Sequence, residues 1–593
     1  MSPTPHPNRR FGLAWLWVLV PLVFTLWLSW TWTPNFPHAD HWGLESDLLL
    51  ADDAGSVSWE LLAQQKNDSR YVLARLCHLL LAKATTWNLQ VEAAVCVLMA
   101  GGIAVLAWWM ARRTLPGRAA DGAGAVMALL ILSPHQVMNW NFGVQICYFL
   151  TVASAVGAAA VFMTRWSMAR QTTAGILTAM AGTWSFAPGW LTWGLVIWGV
   201  LGWWGRIRRS AVAAALAVTL LALAGNAAFY FHGYHFQEST PLGQKLAGRG
   251  GEVLAYYLKM MGAGFAEGWL QPNQAGRGKM LLFLAPLLSG LLALWIVLLV
   301  AWHRRDLLRR TGSSPSWMWL GLGGWALLVV AMVSLARTGI ALSHPFASRY
   351  LAFSIWAWLA ALVLTWMLPA RRLRHLLLGT GLVIMLWGWA SGLATGIKQL
   401  HKDAYTMRML QGSLTMAAVA PEPLGLRSND PNLHTWLPTV LRLDDLGYLH
   451  PPLVRSPLVD DARITEDPVV QGAIQSLSPG PPLAIRGFAI DHRRPGPADA
   501  VVLSLQPDGG QEIWWTPVTG RTMDKVNKKL ATTHGLSGEH ARVGWEWEAG
   551  QDSTGYAVVT PPALACTIRA YVLDTRTGQF YRLAGEQRLD PAP

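Results

Sequence analysis

Charge is scarce in this chain. Charged side chains make up only 14% of its 593 residues, against about 25% in an ordinary soluble domain. With 52% hydrophobic residues, that scarcity excludes a soluble globular protein and points to a membrane protein. Cysteine is scarcer still. Cys77, Cys96, Cys147 and Cys566 are too few and too scattered for a disulfide framework, and three of them lie in or beside hydrophobic runs, where packing accounts for them. A concentrated basic patch is also missing. The net charge is +13, but the arginines fall between hydrophobic runs, so nucleic acid is not an expected partner. No small-residue cleavage site follows the first run, Phe11–Trp32, so it is expected to stay as a span rather than leave as a signal peptide. No internal repeat is evident.

Tryptophan is abundant, with 34 residues, which fits aromatic belts at two membrane interfaces. About eleven hydrophobic runs are expected to span a bilayer: Phe11–Trp32, Val91–Met110, Gly122–Leu132, Ile146–Met163, Thr173–Phe186, Gly189–Trp204, Ser210–Phe231, Met280–Trp302, Trp317–Ala336, Leu351–Leu368 and His375–Thr395. Every second connection is basic: Arg9, Arg10; Arg112, Arg113, Arg118; Arg165, Arg170; Arg206, Arg208, Arg209; Arg304, Arg305, Arg309, Arg310; Arg371, Arg372, Arg374. Lysine- and arginine-rich short loops stay in the cytoplasm. The N-terminus is therefore expected inside, and Asp40, Arg349 and everything after Ile397 outside.

Two outer segments are too short to span yet apolar enough to lie in the interface as helices, Arg70–Lys83 and Glu252–Phe265. After residue 400 the composition changes. Residues 401–480 read as a partly helical linker, with prolines at Pro451-Pro452 and Pro479-Gly480-Pro481-Pro482. Residues 481–593 read as short β runs between turns: Leu483–Ile490, Ala500–Leu505, Glu512–Thr516, Gly555–Val559, Cys566–Val572 and Gln579–Leu583. The expected fold is a polytopic α-helical membrane domain over residues 1–400, including an outer loop at 33–90. A C-terminal extracytoplasmic β-sandwich follows it.

Four outward groups carry chemistry. Asp40-His41-Trp42 follows the first span, where an acid near lipid needs water, a partner or a job. Asn67-Asp68-Ser69-Arg70 lies in the same loop. Gln136, Asn139, Asn141 and Gln145 crowd a short turn. Ser348-Arg349-Tyr350 opens a late span. Simpler roles stand beside these: Asp40 solvated, Asp68 paired with Arg70, Arg349 snorkelling to headgroups, and the Asn/Gln turn satisfying helix ends. His38 and His41 offer two imidazoles, a weak set for a metal.

These motifs, in this order and sidedness, resemble the GT-C superfamily of integral-membrane glycosyltransferases. The likeness is closest to bacterial members in which Asp-x-Trp follows the first span and an Asn-acid-His-Arg stretch follows later. Here Asp40-x-Trp42 fits, and Asn67-Asp68-Ser69-Arg70 fits except for Ser69 in the histidine position. The resemblance implies inverting transfer of a sugar from a polyprenyl-phosphate donor to an acceptor hydroxyl on a glycan or protein, at the outer face of a bacterial cytoplasmic membrane. Asp40 would be the base. Arg349 and Tyr350 would hold the donor phosphate. His41, Trp42, Asn67, Asp68, Arg70, Asn139 and Gln145 would line the substrate. No metal ligand set is assigned, although some members of the superfamily use a divalent cation. A transporter, flippase or ligase of lipid-linked glycans is the competing reading; a transporter would place polar residues or broken helices at mid-membrane.

Overall fold

The computed structural model describes residues 15–235, 242–266, 277–309, 315–338, 347–420, 433–465, 469–478, 483–493, 496–518, 520–522, 525–534, 536, 543–548 and 565–590. The expected strand Gly555–Val559 and the proline cluster at 479–482 lie outside them. The chain divides into two compact, discontinuous units. One comprises Met1–Thr33, Val57–Leu80 and Gln90–Ile397; the other comprises Pro34–Ser56, Leu81–Leu89 and Lys398–Pro593. The segment 33–90, expected within one membrane domain, is thus shared between them.

The first unit is helical. Among the described residues, six helices are long and apolar enough to cross a membrane: Leu89–Thr114, Gly143–Val161, Arg209–Phe231, Ser316–Arg337, Ser348–Trp366 and Arg371–Thr415. Leu16–Trp32, Ala187–Leu201 and Leu284–Val300 are shorter apolar helices. The chain is a multi-pass membrane protein. Helix Leu351–Trp366 is buried along nearly its whole length, including Trp356 and Trp358. It is apolar all round, as a helix surrounded by others should be. The expected interfacial segments are helices Val72–Thr85 and Leu242–Ala266.

Helix Arg371–Thr415 runs for 45 residues, or about 68 Å, more than twice the hydrocarbon thickness. The unit boundary at Ile397 falls inside this continuous helix, whose polar half is amphipathic. In the second unit Leu400, Ala404, Tyr405, Met409 and Met416 recur at helical spacing and are buried.

Two mainly antiparallel sheets form most of the rest of the second unit. One orders Val470–Ser478, Ala484–Asp491, Gly544–Glu548 and Gly520–Thr522. The other orders Ile464–Thr465, Phe580–Arg582, Cys566–Leu573, Ala500–Pro507 and Ile513–Pro517. Ile485 and Trp545 from the first share a core with Leu503, Ile568 and Val572 from the second. Strand structure therefore starts at Ile464, ahead of the expected Pro481. All four cysteines are free.

Candidate active site

In the membrane unit the Asn/Gln turn and Ser348-Arg349-Tyr350 form one construction. Helix Gly117–Ile131 leaves carbonyls open at its end. Gln136 Nε2 donates to two of them, Ile131 O (2.8 Å) and Leu130 O (3.3 Å). The first span holds the turn through one polar stripe. Thr25 donates to Leu132 O (2.7 Å), and Ser29 and Thr33 donate to Trp140 O (2.6 and 3.2 Å). A Cβ on Gly396 would collide with the Pro134 carbonyl, so the long helix packs directly on the turn.

The turn then grips the arginine segment. Ser348 Oγ accepts from Met138 N (3.1 Å), and Asn139 Nδ2 donates to Gln136 Oε1 (2.9 Å) and Arg349 O (3.3 Å). Arg349 is half-buried, with its Cζ 5.0 Å from the Tyr350 ring centre and Nη1 3.5 Å from Met138 Sδ. Beneath it lies an aromatic layer. Tyr148 packs on Phe186 (4.8 Å), Phe353 (5.1 Å) and Tyr350 (6.5 Å), and Phe186 stacks on Tyr71 (5.7 Å). Burial pushes the Tyr256 hydroxyl above its ordinary range, Tyr350 adds to this, and the charges of Arg337 and Arg349 oppose it. Helix Leu242–Ala266 thus faces the same cationic region. Asn139 Oδ1 and Gln145 Oε1 are buried acceptors with no donor among the described residues. Such groups call for a partner, and a substrate hydroxyl would serve.

Asp40 belongs to the second unit. It is exposed and opens the short helix Asp40–Leu44. Ala39 before it has φ 47°, a conformation costly for a residue with a Cβ and typical of functional sites. The segment is anchored from beneath. Asn35 O accepts from Gln411 Nε2 (3.2 Å), which also donates to His450 O and Thr575 O. His41 is buried, with Nδ1 2.8 Å from His38 O and Nε2 4.0 Å from Glu45 Oε1. Glu45 Oε2 accepts from Trp87 Nε1 (2.6 Å), and Trp87 meets Trp42 edge to face (6.1 Å). His41 is thus held by His38 and Glu45, and Trp42 by Trp87. Desolvation lowers the pKa of His38, with the Phe36 carbonyl and Asp40 pulling the other way. Each histidine has Nδ1 within hydrogen-bonding distance of a carbonyl, His38 of Phe36 O at 3.0 Å and His41 of His38 O at 2.8 Å.

Asn67 and Asp68 are the exposed tip of a hairpin, Gln65–Lys66 with Ser69–Arg70. Asn67 takes the positive φ (51°) of the tight turn. Arg70 does not pair with Asp68. It donates to Ala63 O and His232 O (2.5 and 2.7 Å) and lies near the rings of Tyr230 and Tyr234. Ser69 Oγ accepts from Ala187 N (3.1 Å), and Gln65 bonds both backbone groups of His235. Burial, reinforced by Tyr230 and Asp68, pushes the Tyr234 hydroxyl up to about 12.

Sequence reasoning missed Thr25, Ser29 and Thr33, whose four-residue spacing in an apolar run was the available signal. It also missed Glu45 and Trp87, and the buried pair His78 Nδ1–Glu92 Oε2 (3.0 Å) in the membrane unit.

No protein-family model matches the chain, and no curated protein matches its sequence. Three solved structures of an oligosaccharyltransferase from Archaeoglobus fulgidus are similar. The archaeal oligosaccharyltransferase AglB in complex with an inhibitory peptide and a dolichol-phosphate has 14% identity and a TM-score of 0.40, covering 75% of this chain and 61% of that one. The complex with Zn and sulfate has 15% identity and a TM-score of 0.35, covering 74% and 58%. The form tethered to an acceptor peptide has 13% identity and a TM-score of 0.36, covering 75% and 60%. The chain spans about three fifths of their length. Scores this low leave the chemistry to the residues of this chain.

Proposed function

We propose that the protein is an inverting membrane glycosyltransferase of the GT-C type, moving a sugar from a polyprenyl-phosphate donor to an acceptor hydroxyl at the outer face of a bacterial cytoplasmic membrane. The observation that supports this most is Arg349 itself. Asn139 and Ser348 fix its backbone at the start of a buried apolar helix, and its guanidinium lies over an aromatic layer. That is the equipment for a phosphate arriving on a lipid.

In the proposed reaction the acceptor oxygen attacks the anomeric carbon while its proton passes to the Asp40 carboxylate. The bond from the anomeric carbon to the phosphate oxygen breaks, and its electron pair leaves on the phosphate. Arg349 stabilises that growing charge more than it stabilises the bound donor. Asn139 Oδ1 and Gln145 Oε1 accept substrate hydroxyls. A divalent cation stays outside these steps.

The rest of the architecture is proposed on the same footing: about eleven spans, a C-terminal sandwich of the two sheets, and an extracytoplasmic C-terminus from the arginine alternation. The test is a deletion strain analysed for surface polysaccharide and glycosylated surface protein. Loss of one glycan supports the reading. An unchanged glycan profile together with no transfer activity in the purified protein contradicts it.

A further inference from the structure

A groove of about 580 Å³ lies between helices Leu89–Thr114, Ile146–Val161 and Met168–Thr183 of the membrane unit. That volume falls within the range of about 300–1,000 Å³ typical of small-molecule sites. Its wall is carbon and mostly small: Gly102, Val105, Leu106, Gly157, Ala160 and Val161. Helix Ile146–Val161 starts at the Gln145 turn and ends at this groove. Gly157, the first groove residue on that helix, lies 12 residues beyond Gln145, a separation of about 18 Å. The groove is therefore not part of the candidate active site.

One end is cationic. Trp109 and Thr164 line it. Arg113 lies with its Cζ 4.5 Å from the Trp109 ring centre and donates from Nη1 to Met163 O (3.1 Å). Arg165 follows Thr164 and is close enough to repel Arg113. Neighbouring Arg112 is neutralised by Asp121 at 2.7 Å. Among the described residues no carboxylate pairs with Arg113 or Arg165. The two threonine hydroxyls of the groove already donate to their own helices, Thr164 to Val161 O (2.7 Å) and Thr178 to Gly175 O (2.8 Å). The guanidinium groups are left as the recognition elements. Two uncompensated cations at the mouth of an apolar groove match an anion that carries long chains.

We propose that this groove holds one anionic glycerophospholipid, its acyl chain along Gly102, Gly157 and Ala160 and its phosphodiester between Arg113 and Arg165. Basic pockets between membrane helices recognise such headgroups. Gly102 gives the sharpest test, because a Cβ there meets nothing within 4 Å. A leucine would enter the groove with its Cβ clear of every neighbour and would also suit the helix better than glycine.

The experiment is native mass spectrometry of the purified full-length protein released from bilayers containing phosphatidylglycerol, phosphatidylcholine and a polyprenyl phosphate. The wild type should retain one phosphatidylglycerol. Gly102→Leu, Val105→Trp and the double variant Arg113→Ala/Arg165→Ala should each retain it about ten-fold less or worse. Arg206→Ala/Arg208→Ala, a control in another basic loop, should bind as the wild type does. Melting temperatures of the lipid-free proteins identify any variant that fails to fold, and the remaining variants then decide. Equal retention of phosphatidylcholine, preference for the polyprenyl phosphate, or full binding by a folded Gly102→Leu would overturn the proposal. None of these outcomes bears on Arg349 or Asp40.

Discussion

The side-chain amide of Asn139 donates to the backbone carbonyl of Arg349 at 3.3 Å, across 210 positions of sequence. It fixes the peptide that carries the guanidinium rather than the guanidinium itself. Asn139→Ala is therefore expected to cost about 1 kcal/mol of stability and to raise the donor KM more than it lowers kcat. Steady-state kinetics against donor concentration check this. An unchanged KM would limit Asn139 to a folding role.

Arg349→Lys keeps the charge and loses the paired donors. Both Arg349→Lys and Arg349→Ala are expected to lose most transfer activity, with donor affinity falling in each. Full activity for lysine beside a large loss for alanine would reduce the requirement to charge. Unchanged kinetics in both would remove Arg349 from the site, as expected of a side chain that merely snorkels.

His38 supplies a pH dependence. Burial holds its pKa below the ordinary 6.5, so the folded segment binds protons less readily than the unfolded one. Stability is then fully present above pH 6.5 and falls as pH drops toward the folded value. Hydrogen-exchange protection of residues 34–56, taken relative to the intrinsic rate at each pH, should fall as pH drops below 6.5, and His38→Gln should flatten that change. Identical pH profiles for wild type and variant would contradict it.

Arg70 is expected to act through position. Arg70→Ala removes two bonds to backbone carbonyls, so protease nicking near 65–70 and 230–235 should rise while donor KM changes little. A pure KM effect without added nicking would return Arg70 to the substrate site.

The helical membrane unit was legible because apolar runs and arginine loops are long-range, redundant signals. The same holds for the strands Ala500–Pro507 and Cys566–Leu573, whose turns announce themselves. The change at Ile397 was legible as a shift in composition, whereas the continuity of one helix through it was not, because only the helix's exposed face changes character. Gly544–Glu548 was missed because its Gly-Trp-Glu-Trp-Glu run is short and carries glycine and glutamate, which strands disfavour. In the site, residue types were readable but their pairing was not. Nothing local says that Asn139 meets the Arg349 carbonyl, or that Arg70 prefers Ala63 and His232 to Asp68. Those choices are made by packing between distant elements.

The most direct test is sugar transfer by purified protein from a synthetic polyprenyl-phosphate donor to an envelope acceptor fraction, comparing wild type with Asp40→Asn. The substitution preserves shape and removes the base at an exposed position, so folding and donor binding should survive while turnover falls by about 10²–10⁴-fold. An Asp40→Asn protein that is folded, binds donor and turns over at the wild-type rate would contradict the account.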